Sequence, residues 1–285
     1  MFGKKNTTET EPQYYKTATN IDALNYRVYH MSVTERLGYI VLAFAVGALV
    51  AYAFYGGIGK DEFNNPTMLT YIIDAVVMGV AGTAAAVIFL PMRTKQLQKA
   101  RVEKLKRQFR DMLETFSTAL GAGHNVTDAF KRSYEDLGNQ YEEGAFILNE
   151  LFIINVGVEN GETLEDLLND FGKRSGCEDI ENFSNVFQIA YRRGGNIRDT
   201  VRNSCDIISD KMAIREEIET TVTSSKSELS LMLVLPILMI VLMKSSSPDF
   251  AANFASLTGI MSTTVALVFV VAAYLLGQKI LDIKV

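Results

Sequence analysis

The chain has 285 residues, a net charge of −5, two cysteines and two histidines. So few Cys and His side chains, at no metal-ligand spacing, exclude a disulfide scaffold and a Cys/His metal module, and no nucleic-acid partner is expected. The hydrophobic share of 48% hides the main feature, which is four apolar segments in two pairs around a polar block.

In chain order, residues 1–36 form a polar tail. It lacks a short apolar region followed by a small-residue cleavage site, so no signal peptide is expected. Leu37–Gly56 and Met68–Leu90 make the first pair (37–90), and Leu229–Met243 and Gly259–Gly277 the last (229–277), with a tail at 278–285. A bilayer core about 30 Å thick takes roughly 20 apolar residues of helix to cross. Three of the segments have that length. Leu229–Met243 is shorter, is interrupted by Pro236 and is flanked by Glu228 and Lys244. It crosses if the helix continues through Ser245–Ser247 or if Lys244 snorkels to the interface; a re-entrant segment is the alternative.

Basic residues set the orientation. Arg93, Lys95, Lys99, Arg101, Lys104, Lys106, Arg107 and Arg110 follow the second segment directly, whereas the loops within the pairs hold only Lys60 and Lys244. The tails add Lys4, Lys5, Lys16, Arg27 and Arg36 at one end and Lys279 and Lys284 at the other. This pattern predicts a multi-pass protein of the cytoplasmic (inner) membrane with both termini and block 91–228 in the cytoplasm. Cys177 and Cys205 would then be reduced thiols.

The block reads as helix. Phe109, Met112, Leu113, Phe116 and Leu120 recur at three- and four-residue spacing, as do Phe183, Val186, Phe187 and Ala190, and no proline lies between Met92 and Leu235. A short pattern recurs three times. Gly123-His124-Asn125-Val126-Thr127-Asp128 aligns with Gly194-Gly195-Asn196-Ile197-Arg198-Asp199, and Gly161-Glu162-Thr163-Leu164-Glu165-Asp166 fits the same frame. Each reads as a helix boundary. The glycine supplies the left-handed conformation, Asn or Thr caps the next helix, and Asp three residues on returns the bond as in a capping box. The expectation is an all-α membrane protein in which two transmembrane pairs flank a helical bundle turned at Gly123, Gly161 and Gly194.

The residues Leu113-Glu114-Thr115-Phe116…Leu120-Gly121-Ala122-Gly123, Gly161…Leu164-Glu165…Leu168 and Phe183…Gly194-Gly195-Asn196-Ile197…Thr200-Val201 carry a resemblance. So does the long helix through Glu217-Ile218-Glu219-Thr220 with Pro236 in the next span. Arg101–Met243 resembles the type II secretion F domain of inner-membrane platform proteins in type II secretion and type IV pili. One such domain with two spans on each side resembles the platform subunits of Tad/Flp pili. The resemblance implies no enzyme and no cofactor. As partners it implies a cytoplasmic assembly ATPase, pilin or pseudopilin subunits, a second platform subunit in a homo- or hetero-oligomer, and the lipid membrane itself. A secretion platform moving a pseudopilus is the first rival. A transport or sensing protein is the second; it would require charged or broken helices at matching places in both pairs, and Asp74 in the second segment has no such counterpart in the last pair.

Several residues are weighed as sites. Gly56-Gly57-Ile58-Gly59-Lys60-Asp61 fails as a phosphate loop, because Phe54 stands where the leading glycine belongs and Asp61 where Ser or Thr belongs. His30 and His124 are far apart, and no catalytic, cofactor or metal residue is assigned. Asp74, inside the second span, is the candidate intramembrane polar site. Glu135–Glu181 holds thirteen carboxylates against Lys173 and Arg174. Within it Glu162, Glu165 and Asp166 are the candidate ATPase contact, with Arg192 and Arg193 at the third turn as the alternative; the latter also suit the helix dipole.

Overall fold

A computed structural model describes residues 11–17, 21–60 and 65–281. Lys4, Lys5, Asp61 and Lys284 of the sequence reading lie outside the described residues. The elements are β1 (Tyr14–Lys16), β2 (Asp22–Leu24), α1 (Val33–Tyr55), α2 (Met68–Gly121), α3 (Val126–Gln140), α4 (Phe146–Glu159), α5 (Leu164–Ser175), α6 (Glu178–Arg192), α7 (Ile197–Ser246), α8 (Pro248–Ala255) and α9 (Leu257–Leu281). Among the described residues four helices are long and apolar enough to cross a membrane: α1, α2, α7 and α9. The chain is an all-α membrane protein, with one small two-stranded ribbon among the described residues. The third apolar segment is part of a continuous helix with Pro236 inside it, and Pro91 likewise sits inside α2. Each proline removes one helical N–H, a loss that membrane helices tolerate.

The chain divides into two compact units. The first joins the N-terminal segment through His30 to Thr94–Ile214, and the second joins Met31–Arg93 to Arg215–Val285.

The first unit is a helical bundle around an aromatic core. On α2, Leu105, Phe109, Met112, Phe116 and Leu120 fall on one face and are buried. The Phe109 ring meets Phe171 and Phe183 edge-on, with centroids 6.0 and 5.4 Å apart, and Phe116 lies 4.2 Å from Phe130. Burying each such side chain contributes roughly 1.5–3 kcal/mol. Glycines let the helices approach. A Cβ on Gly157 would sit 2.6 Å from Leu167, and one on Gly172 would sit 2.6 Å from the Ser184 hydroxyl. The α5–α6 contact turns Ile180, Phe183, Ser184 and Phe187 inward, so Val186, expected inside by spacing, is exposed and Ala190 only half-buried.

Two helix breaks escaped the sequence reading. Tyr141–Ala145 separates α3 from α4 and contains Gly144 at φ +89°; Gly176, at φ +64°, ends α5. The N-terminal segment also departs from the tail expected over 1–36. Its strands pair antiparallel, Tyr15 opposite Ala23, and Asn25, Tyr26 and Val28 are buried in the bundle unit.

In the membrane unit α1 and α2 pack through small residues. A Cβ on Gly47 would lie 2.7 Å from that of Ala85 and 3.0 Å from the Ala81 carbonyl, and Gly82 sits under the Phe44 ring. Tyr55 and Thr264 hydroxyls bond at 2.9 Å, joining α1 to α9.

Gly123, Gly161 and Gly194 have φ of +90°, +87° and +67°, and each faces open space. Strain, not crowding, therefore opposes a side chain there. Gly123→Ala and Gly194→Ala should each destabilise the purified full chain by about 1 kcal/mol or more. Gly138→Ala, in the exposed last turn of α3 with the same open space, should stabilise it by about 0.5–1 kcal/mol. Opposite signs in thermal melts are the expected outcome; a common sign would contradict the turn assignment.

Candidate functional site

The three repeated turns are built alike. Asn125 Oδ1 accepts the Asp128 N–H at 2.8 Å, Thr163 Oγ1 accepts the Asp166 N–H at 3.4 Å, and Asn196 Oδ1 accepts the Asp199 N–H at 3.4 Å. The aspartates return a bond to the cap's side chain instead of its backbone. Asn125 Nδ2 donates to Asp128 at 2.7 Å, Thr163 Oγ1 to Asp166 at 2.6 Å, and Asn196 Nδ2 to Asp199 at 2.5 Å. Asp is one methylene shorter than the Glu of a capping box, and this closes the smaller ring.

Because the helices alternate in direction, the three turns gather at one end of the bundle, the turn end. Arg198 Nη2 donates to the Leu120 carbonyl at 2.7 Å, tying the start of α7 to the end of α2. Arg192 lies 3.6 Å from Glu165, and Lys131 lies 2.8 Å from Glu159. The structure thus joins the two alternative contact groups into one mixed-charge face. Glu165 is nearly covered and paired with Arg192, Asp166 is engaged by Thr163, Glu162 is half-exposed, and Arg193 is exposed.

At the opposite end, where α2 enters the bundle and α7 leaves it, lie charged groups that spacing did not reveal. Arg174 donates to Glu150 at 2.8 and 3.0 Å, to Asp170 at 2.6 Å and to the Leu24 carbonyl at 2.9 Å. The Tyr26 hydroxyl donates to Glu150 at 2.9 Å, and Glu150 and Tyr26 are each 1% exposed. Burial alone would lower the Arg174 pKa, but Glu150 and Asp170 more than reverse this and hold the guanidinium charged. Burial, then Glu150, pushes the Tyr26 hydroxyl well above the usual tyrosine range. A signal existed for part of this. Glu150 is the lone charge in the apolar run Phe146–Val158, which calls for a buried partner.

Asp179, in the first turn of α6, takes Lys106 of α2 and Lys211 of α7, each at 2.6 Å. Burial works against its charge, but the two lysines outweigh that and hold its carboxyl below the usual carboxylate range. The clasp therefore contributes stability above the ordinary carboxylate range and loses it as pH falls through the lowered value. The Tyr141 hydroxyl donates to Asp111, and burial with that bond pushes it up to about 12. Cys177 and Cys205 are free thiols, both pushed up by burial. Among the described residues no three His, Cys, Asp or Glu side chains converge as a metal site requires.

Asp74 stands apart from these groups, in the membrane unit. It accepts the Gly57 N–H at 3.1 Å just past the end of α1. Lys244 of α7 donates to the Ala53 and Gly56 carbonyls of the same helix end, at 3.1 Å each. The last pair thus supplies a charged counterpart to Asp74 that the sequence reading did not find, and both groups are engaged in finishing α1.

Residues 112–243 match the family model of the type II secretion system (T2SS), protein F. That stretch is a type II secretion F domain, the domain of membrane platform proteins in type II secretion and type IV pilus machines. It contains all three repeated turns. No curated protein and no solved structure matches the chain.

The buried ion pair gives a graded stability prediction. Arg174→Met leaves Glu150 buried and uncompensated and should cost about 3–5 kcal/mol. Tyr26→Phe removes one donor to the same carboxylate and should cost about 1.5–3 kcal/mol. Lys131→Met, at an exposed pair, should leave the thermal midpoint unchanged. Equal effects for all three would contradict the buried network.

Proposed function

We propose that the chain is an inner-membrane platform subunit of a pilus-assembly machine of the Tad/Flp type. It couples a cytoplasmic ATPase to insertion of pilin subunits at the base of the fibre. The F domain at 112–243 carries this reading, and a single bundle with two candidate spans in each half of the chain supports the Tad/Flp form. The basic residues after the second span support a cytoplasmic bundle and cytoplasmic termini. A platform of a type II secretion system is the second reading, favoured by the family model's own description.

In this reading the turn end is the ATPase contact, and the spans, in lipid, meet pilin helices and a second platform subunit in an oligomer. Oppositely charged faces speed encounter and fix register, and a mixed-charge face suits a partner presenting both signs. Glu162 and Arg193 are the probes to use, since neither belongs to the Glu165–Arg192 pair or the Thr163–Asp166 cap. Glu162→Lys with Arg193→Glu should reduce cross-linked capture of the ATPase from native membranes about tenfold at low salt, where screening is least. The helical circular dichroism should not change. Full capture by the folded double variant would rule out the turn end as the contact, and failure of the unaltered chain to capture any ATPase would overturn the platform reading.

A further inference from the structure

The chain passes between its two units three times, after His30, at Arg93–Thr94 and at Ile214–Arg215. Within the bundle unit, one six-residue stretch touches all three of the segments that make these passages. Arg174 accepts the Tyr26 N–H on its carbonyl at 2.9 Å and donates to the Leu24 carbonyl at 2.9 Å. A Cβ on Gly176 would come within 3.1 Å of the Arg27 side chain. Asp179 holds Lys106 on α2 and Lys211 on α7. The stretch Arg174–Asp179 joins α5 to α6, so it is also continuous with the helix that starts at the turn end and with the helix that returns to it.

We propose that the α5–α6 connection, Arg174–Asp179, is a coupling hub that locks the N-terminal segment, α2 and α7 into one body, so that displacement of α5 and α6 at the turn end moves all three passages together. The proposal rests on the platform reading for the origin of that displacement. The locking itself rests on geometry. Two features fit it. Asp179 is a single short carboxylate shared by two lysines, so Lys106 and Lys211 cannot both keep it if α2 and α7 separate. The Lys106 and Asp179 side chains are 9% and 12% exposed, so water screens their bond little. Asp179 is a positioning residue in this scheme and touches no partner.

Hydrogen exchange on the full chain in lipid nanodiscs tests the lock. Asp179→Asn should speed exchange about tenfold or more in both 101–110 and 204–214, with α3 and α4 at their original rates. Asp179→Glu should restore slow exchange. Lys211→Met keeps the Lys106 bond and should loosen 204–214 alone, which provides a reading even if Asp179→Asn fails to fold. Faster exchange confined to α6, or none in either stretch, would overturn the hub. In cells, Asp179→Asn should still capture the ATPase but lose fibre assembly; normal assembly with both stretches loosened would overturn the transmitting role. If the unaltered chain captures no ATPase, the platform reading falls while the exchange result stands.

Discussion

The bundle depends on one buried ion pair, Glu150 with Arg174, closed by the Tyr26 hydroxyl. Two charges removed from water are costly unless every donor and acceptor is met. Here the guanidinium meets two carboxylates and a backbone carbonyl, and Glu150 takes three bonds. A hydrophobic cluster at this place would bury as much surface but could slide. The ion pair can be satisfied only when the N-terminal segment, α4 and α5 are in a single register. That requirement draws residues 21–28 out of a nominal tail and into the bundle.

The bundle has two unlike ends. The turn end gathers three copies of one glycine-cap-aspartate device, with exposed backbone and mixed charge. At the other end Arg174 and Asp179 draw together every segment that continues toward the membrane unit. Stiff, satisfied contacts at one end and an open charged face at the other are what the proposed platform role asks of the bundle. The aromatic chain from Phe171 through Phe109 to Phe183 fills the space between and leaves little room for the helices to shear.

Much of this was legible in the residues. Apolar length gave three of the four candidate spans, while Leu229–Met243 fell short until the helix was seen to continue on both sides of it. The spacing of Phe109, Met112, Phe116 and Leu120 gave the buried face of α2, and three glycine-cap-aspartate repeats gave the positions of three turns. The repeats were readable because each device is local, complete within six residues. The remaining breaks were not, since Gly144 and Gly176 carry no cap of that pattern and only tertiary packing selects them. Pairings across the fold were invisible for a related reason. Lys106, Asp179 and Lys211 are dispersed in sequence, and Lys244 looked like a snorkelling residue until the end of α1 was placed beside it. Glu150, the one charge in its apolar run, carried a hint of a missing partner without saying which.

The functional account requires the bundle to face the cytoplasm, where an ATPase can reach the turn end. Sidedness labelling is the most direct measurement of that requirement. With Cys177 and Cys205 replaced by alanine, single cysteines at Lys60, Ser256 and Arg193 can be reacted with a membrane-impermeant maleimide in intact cells. The account predicts that Lys60→Cys and Ser256→Cys label from outside, and that Arg193→Cys labels only after the membrane is opened. Labelling of Arg193→Cys in intact cells would place the bundle outside and contradict the account.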